Sequence, residues 1–385
     1  MTRKSFESGS AWQFARESVS TLTEMRPDRQ EVPDRHTARL RRGAAVIVGG
    51  LVLLWTFVPT PSAWIEEYYA RGLFRWVGSC LVPLNDAIPV SLSGILLAGL
   101  VVVLVIVSVR RLRQGRPWRD TLRWGFGHGL LLVLTTYVLF LLTWGAGYSR
   151  PPLEEKLALS LDSPGADEME RFASGLLERV HTYALTATNE QRDTQQAVRA
   201  IRDSMVDLVS AWDGGLPTIP PRVKTLPAGS LLCTGSAGIT SPFFLEAHVD
   251  AGLPEAAFVS VAAHELAHVA GYCRESDADL LGSLAGLRAT DEFARYAIAL
   301  FLFRDVTAHL DSTRRDEMRA RLPRVGRNDL QLAREAYGRY RISWLSELQS
   351  VFYDSYLKSQ GVDEGVKNYG RGVLLVFRVW QSGGL

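Results

Sequence analysis

"VAAHELAHVAGYCRESDADLLG", residues 261–282, is the stretch on which the reading of this chain turns. It sets His264, Glu265 and His268 in an H-E-x-x-H pattern, followed by Glu275 and Asp279 seven and eleven residues beyond the second histidine. Pro254 ahead of the motif and Gly271 within the stretch bracket a predicted helix of about four and a half turns. On that helix His264 and His268 lie one turn apart, so both imidazoles point the same way and can bind one ion. Glu265 lies about 100° round the helix from them. From there its carboxylate reaches a water polarised by the metal without ligating the metal itself. The competing reading is a buried helix that merely carries two histidines.

A catalytic zinc wants a third protein ligand and one open position. Glu275 follows the Gly271 break, where a new helix can begin, and would complete a set of three with His264 and His268. Asp279 comes one turn later on the same face, where it can accept a hydrogen bond from a ligand histidine and fix its tautomer. A carboxylate pair at a helix start equally suits the helix dipole. His248, in a strand-like region, is a weaker ligand candidate. No G-x-S-x-G, Walker loop or G-x-G-x-x-G occurs, so serine hydrolase, nucleotide and dinucleotide chemistry have no residues to carry them.

Outward from the motif, the 385 residues are 47% hydrophobic, but unevenly so. Residues 43–65, 87–109 and 124–149 contain no Asp, Glu, Lys or Arg. Each exceeds the roughly 20 residues needed to cross a bilayer, which predicts three transmembrane helices. Arginines 35, 39, 41 and 42 precede the first, and arginines 110, 111, 113, 116, 119 and 123 fill the loop between the second and third. The loop between the first two is balanced, with Arg71 and Arg75 against Glu66, Glu67 and Asp86. The positive-inside rule then puts the N-terminus in the cytoplasm and everything after Arg150 outside it. These arginines flank apolar spans and no nucleic-acid motif accompanies them, so lipid rather than nucleic acid is the expected partner.

The domain plan follows. Residues 1–42 read as a disordered cytoplasmic tail, 43–149 as the membrane region, and 150–385 as an extracytoplasmic domain. Between the first two spans, aromatic residues at 64, 68, 69, 74 and 76 mix with charges, which suits a helix at the membrane surface or one packed on the soluble domain. Residues 165–182 and 188–212 have helical spacing, residues 222–250 are strand-like, and the remainder is mainly helical. "PFFLEAHVD" can be read as an edge strand able to pair with an extended peptide, or as a plain structural strand. Cys233 and Cys273 flank the motif region and are a possible disulfide pair in an oxidising compartment.

The helix pair "HELAHVAGYCRESDAD" resembles the zincin metallopeptidases, and its E-x-x-A-D part looks like the gluzincins. From about Trp64 onward the chain is also similar to a bacterial family, domain of unknown function thirty-eight-ten. The segments that carry this are "IEEYYARGLFRW", "WGAGYSRPP", "RVKTL", "GSAGITSPFFLEAHVD", "AAHELAHVAGYCRESDAD" and "DSYLKSQGVDEGVKNYGRGV", in that order. The resemblance implies a mainly α chain: three transmembrane helices, then a zincin-like α+β domain with a small sheet. It also implies that His264, His268 and Glu275 hold one Zn2+ and that Glu265 is the catalytic base. The family usually has Asn at the positions of His248 and Asp279, which argues against His248 as a ligand and makes the charge of Asp279 optional. Tyr369 in "VKNYGRG" is the candidate oxyanion donor, since a phenol or basic group usually faces the metal in such sites.

The expected protein is therefore a membrane-anchored zinc peptidase of the bacterial cell envelope, acting on a peptide or protein substrate. A zinc-stabilised scaffold without catalysis is the alternative, and a hydrolase acting on another bond is a third reading.

Overall fold

Ala, Val, Leu and Phe occupy every side of residues 255–269, so a helix formed there needs burial all round. In the computed structural model this helix is the centre of the core. The chain divides after Val58. The structure describes residues 49–50, 60–188, 192–359 and 369–384. The expected tail lies outside the described residues, as does the expected first span apart from residues 49–50 and 60–65.

In chain order, α1 runs through Ser62–Trp64, a π-spaced stretch Ile65–Leu73, and Phe74–Ala87. Then come α2 (Leu92–Arg113) and α3 (Trp118–Thr143), followed by α4 (Ala166–Thr188) and α5 (Thr194–Asp213). Three short strands follow: β1 (Lys224–Leu226), β2 (Gly238–Ser241) and β3 (Glu246–Asp250). The motif helix is α6 (Glu255–Val269) and Glu275 opens α7 (Glu275–Arg288). Next are α8 (Glu292–Thr307), α9 (Ser312–Ala320), α10 (Arg324–Tyr340), α11 (Ser343–Ser359) and α12 (Tyr369–Gln381). The protein is thus mainly helical with one small sheet.

The sheet has the order β1-β3-β2, with β1 parallel to β3 and β2 antiparallel to it. Helix α6 lies against β3 and β2 and packs on α5, α7 and α8. The crossing of α6 and α7 depends on Gly282, where a Cβ would stand 3.0 Å from the Ala263 carbonyl oxygen and 3.2 Å from the His264 nitrogen. Only a glycine lets α7 come that near, and the approach brings Glu275 and Asp279 within reach of the histidines.

Among the described residues two helices, α2 and α3, are long and apolar enough to cross a membrane, and almost none of their residues is buried. Their bounds correct the expected ones. Helix α2 starts at Leu92 rather than 87, because Pro89 precedes it and Ser91 caps it by accepting the Gly94 N–H. Helix α3 ends at Thr143 rather than at the expected 149. Trp144 and Tyr148 are buried in the core, where uncharged residues are as much at home as in lipid.

Helix α1 turns one face inward, with Ile65, Tyr69, Ala70, Phe74 and Val82 in the core, while Trp64, Tyr68 and Trp76 are exposed. "PFFLEAHVD" is not an edge: β3 is the central, fully buried strand and β2 is an outer one. The charges of β3 are satisfied internally. Glu246 accepts the Leu92 and Ser93 N–H groups at the start of α2 at 2.8 and 2.9 Å and pairs with Lys224 at 2.5 Å. Asp250 accepts four backbone N–H groups, from Gly229, Leu231, Leu232 and Gly252. Cys80, Cys233 and Cys273 are all free thiols, so the proposed pair at Cys233 and Cys273 is not bonded.

Candidate metal centre

Helix α6 ends at Val269, and Gly271 turns the chain with a φ of 96°, a left-handed conformation that favours glycine. The turn sends the Tyr272 carbonyl back onto the helix, where it lies 2.8 Å from His268 Nδ1. The chain then re-enters a helix at Glu275, whose carboxylate points at both histidines. Glu275 Oε2 is 3.1 Å from His264 Nε2, and its Oε1 is 3.6 Å from His268 Nε2. Donor atoms of His264, His268 and Glu275 all lie within 4.8 Å of one another. The two imidazoles are perpendicular, with ring centroids 4.7 Å apart.

The chemistry of this donor set fits a divalent cation. His264 Nδ1 lies 2.8 Å from Asp279 Oδ1, and His268 Nδ1 faces the Tyr272 carbonyl, so each Nδ1 donates to an acceptor. Both Nε2 atoms then converge on a carboxylate, so that with neutral imidazoles three electron-rich groups face one another and call for positive charge, a proton or a cation, between them. The local field has the same sense. Burial would lower the pKa of His264, but Asp279 and Glu275 together hold it well above the imidazole range. Burial would likewise raise Glu275, yet His268 and His264 hold it well below the carboxylate range.

Glu265 points elsewhere. Its Oε2 is 2.7 Å from the Thr240 hydroxyl on β2, and its Oε1 stands over Gly238, where a Cβ would meet it at 2.5 Å. Burial raises the Glu265 carboxyl above its ordinary pKa despite the nearby histidines. A cavity of about 560 Å³ opens beside it, lined by Gly235, Val261, His264, Glu265, Asp279 and Ser283 among others. Cavities of this size suit a side chain or small ligand.

Several neighbours of the centre escaped the sequence reading. Tyr353 on α11 donates its hydroxyl to Glu275 Oε1. Trp144, just past the end of α3, lies 5.8 Å from the His268 ring centroid to centroid. Behind the Gly271 turn, Arg150 binds the Gly271 carbonyl at 2.9 Å, Glu66 Oε2 at 2.9 Å and Asp213 Oδ2 at 2.9 Å. Lys156 bridges the same two carboxylates, and the Tyr272 hydroxyl donates to Asp213. These charges are scattered across the sequence, so no spacing rule gathers them.

Of the other candidates, His248 is buried in β3, its Nε2 2.9 Å from Ser91 Oγ and its Nδ1 3.3 Å from the Ile239 oxygen; it does not join the donor cluster. Tyr369 begins α12, but its side chain lies outside the described residues.

A family model described as "Protein of unknown function (DUF3810)" matches residues 69–377, a stretch that holds both apolar helices and the whole donor cluster. No curated protein and no solved structure matches the chain.

Proposed function

Because the chain belongs to this family of unknown function over most of its length, its activity has to be read from its own residues, and we propose that it is a membrane-anchored, zinc-dependent metallopeptidase. One observation carries the reading: both histidine Nδ1 atoms are engaged, both Nε2 atoms converge on Glu275, and a separate carboxylate, Glu265, stands beside them. Two histidines and one carboxylate suit zinc, and three protein donors leave a position open for chemistry, whereas a purely structural zinc is usually closed by four.

When bound, the ion would polarise a substrate carbonyl and make a water acidic enough to lose a proton near neutral pH. Glu265 accepts that proton, held in place by Thr240. As the C–N bond breaks, the water oxygen stays on the carbonyl carbon, and Glu265 passes the proton to the leaving nitrogen. Asp279 and the Tyr272 carbonyl keep both imidazoles in the tautomer that presents Nε2. The Tyr353 hydroxyl orients Glu275. Tyr369 remains our candidate for stabilising the developing oxyanion.

Counting the charge-free stretch 43–65 as a third crossing, the domain after Arg150 stands outside the cytoplasm. Reporter fusions after Arg150 should behave as extracytoplasmic and fusions at Gly115 as cytoplasmic; the reverse would overturn the orientation. The activity itself is tested by incubating the purified full-length chain with a mixed-sequence fluorogenic peptide library. Cleavage should occur, stop with a chelator and return on adding zinc. Chelator-insensitive cleavage, or none at all in zinc-loaded protein, would refute the reading.

A further inference from the structure

The two apolar helices and the donor cluster meet at one end of the hairpin. The arginines at 110, 111, 113, 116, 119 and 123 gather where α2 joins α3, so Leu92 and Thr143 lie at the opposite membrane face. From Arg123 to Thr143 the helix rises about 30 Å, the thickness of the hydrocarbon core. Trp144, buried in the core just past Thr143, therefore lies at the height of the far interface. Its ring is 5.8 Å from that of His268. The centre thus adjoins the end of α3 directly.

The start of α2 makes the second connection. Its first N–H groups end on Glu246 of β3, and Ser93 Oγ lies 2.5 Å from Ser241 Oγ, at the end of the strand that carries Thr240. The two spans thus end on the domain that holds the site, one beside His268 and the other on the sheet that carries Thr240.

Helix α11 supplies an independent observation. Its inner face sends Tyr353 to Glu275 and Gln349 to Ser236. Its outer face carries Trp344, Leu348, Val351 and Phe352, which are 66%, 46%, 66% and 66% exposed. Their spacing of four, seven and eight residues puts them on one stripe, opposite Gln349 and Tyr353. An aromatic and aliphatic stripe of this kind is a contact surface rather than a solvated one. Because α11 touches Glu275 through one side chain, and Trp144 brings the interface to the adjacent His268, the bilayer is the occupant within reach. Trp64, Tyr68 and Trp76, exposed on α1 ahead of Leu92, are residues of the same interfacial type.

We infer that the metal centre stands at the bilayer surface and acts on polypeptide anchored in that same bilayer, at a bond close to the anchor, with α11 lying in the interface beside the cleft. The substrate class rests on the peptidase reading; the placement at the surface does not. A bond near a membrane anchor is presented at the height of Trp144, and anchoring raises its local concentration.

The test uses the full-length chain in nanodiscs of phosphatidylethanolamine and phosphatidylglycerol. Val351→Cys and Phe352→Cys, each in a Cys80→Ser, Cys233→Ser background, are labelled with a nitroxide. Both sites should be more accessible to oxygen than to a water-soluble nickel chelate. Greater accessibility to the chelate at both would overturn the placement, and exclusion of both reagents would instead mean a protein partner or a second copy and overturn it equally. In the same nanodiscs, a mixed-sequence fluorogenic peptide is offered free and joined to a leucine-rich transmembrane helix. The anchored form should be cleaved about tenfold faster or more. Equal rates would overturn the substrate class, whereas cleavage of neither form, with lipid-exposed labels, would count against the peptidase reading alone.

Discussion

Replacing Glu265 with Gln is expected to leave a bound metal in place and to cut hydrolysis by about 10²–10⁴-fold, the usual contribution of a positioned acid–base group. The amide has the shape of the carboxylate, so it fits the space that Gly238 leaves open and can still accept the Thr240 hydroxyl. It cannot accept a proton from water. His264→Ala, His268→Ala or Glu275→Ala should instead lower metal content, because each removes one of three protein donors. Rate and metal content measured together separate the two classes. A Glu265→Gln chain that loses its metal would mean that Glu265 is a ligand and that the roles are wrongly assigned.

Arg150→Met is expected to destabilise the protein by about 3–5 kcal/mol, because it leaves buried carboxylates without their main partner. Arg150 binds Glu66, Asp213 and the Gly271 carbonyl, and its guanidinium lies 4.7 Å from the Tyr272 ring centroid. After the change Lys156 would be the cation left bridging both acids, with Arg71 at the edge of Glu66 and the Tyr272 hydroxyl on Asp213. For a domain of this size the loss corresponds to a fall in Tm of roughly 6–20 °C. Arg71→Met provides the contrast. That arginine is 37% exposed, pairs with exposed Glu67 and reaches buried Glu66 from the solvent side, and Arg150 and Lys156 still neutralise Glu66 without it, so its removal should cost less than about 1 kcal/mol. Thermal unfolding of both variants in the same detergent decides. Equal shifts would show that the cluster does not hold the Gly271 turn.

The helical framework and the grouping of the donors were legible because both follow from local periodicity. Residues one turn apart share a face, and a glycine break followed by an acidic residue marks a new helix start. That logic brings His264, His268, Glu275 and Asp279 together from the sequence alone. It failed where a residue's setting depends on distant chain. Trp144 and Tyr148 read as membrane because an uncharged residue gives the same signal in lipid and in a core. Glu66 and Arg150 read as flanking charges, since nothing local reveals that each is buried against the other. "PFFLEAHVD" reads equally as an edge or a structural strand, since nothing local reveals that Lys224, the start of α2 and the loop at 229–232 satisfy its charges inside. Tyr353 is 78 residues from Glu275, beyond any motif.

Metal analysis with X-ray absorption on the full-length chain, purified without added metal or chelator, tests the central claim most directly. The expected result is about one zinc per chain, with imidazole nitrogen and carboxylate oxygen at about 2.0–2.2 Å and no sulfur in the coordination shell. A chain without stoichiometric metal, or a metal held through sulfur at about 2.3 Å, would contradict it.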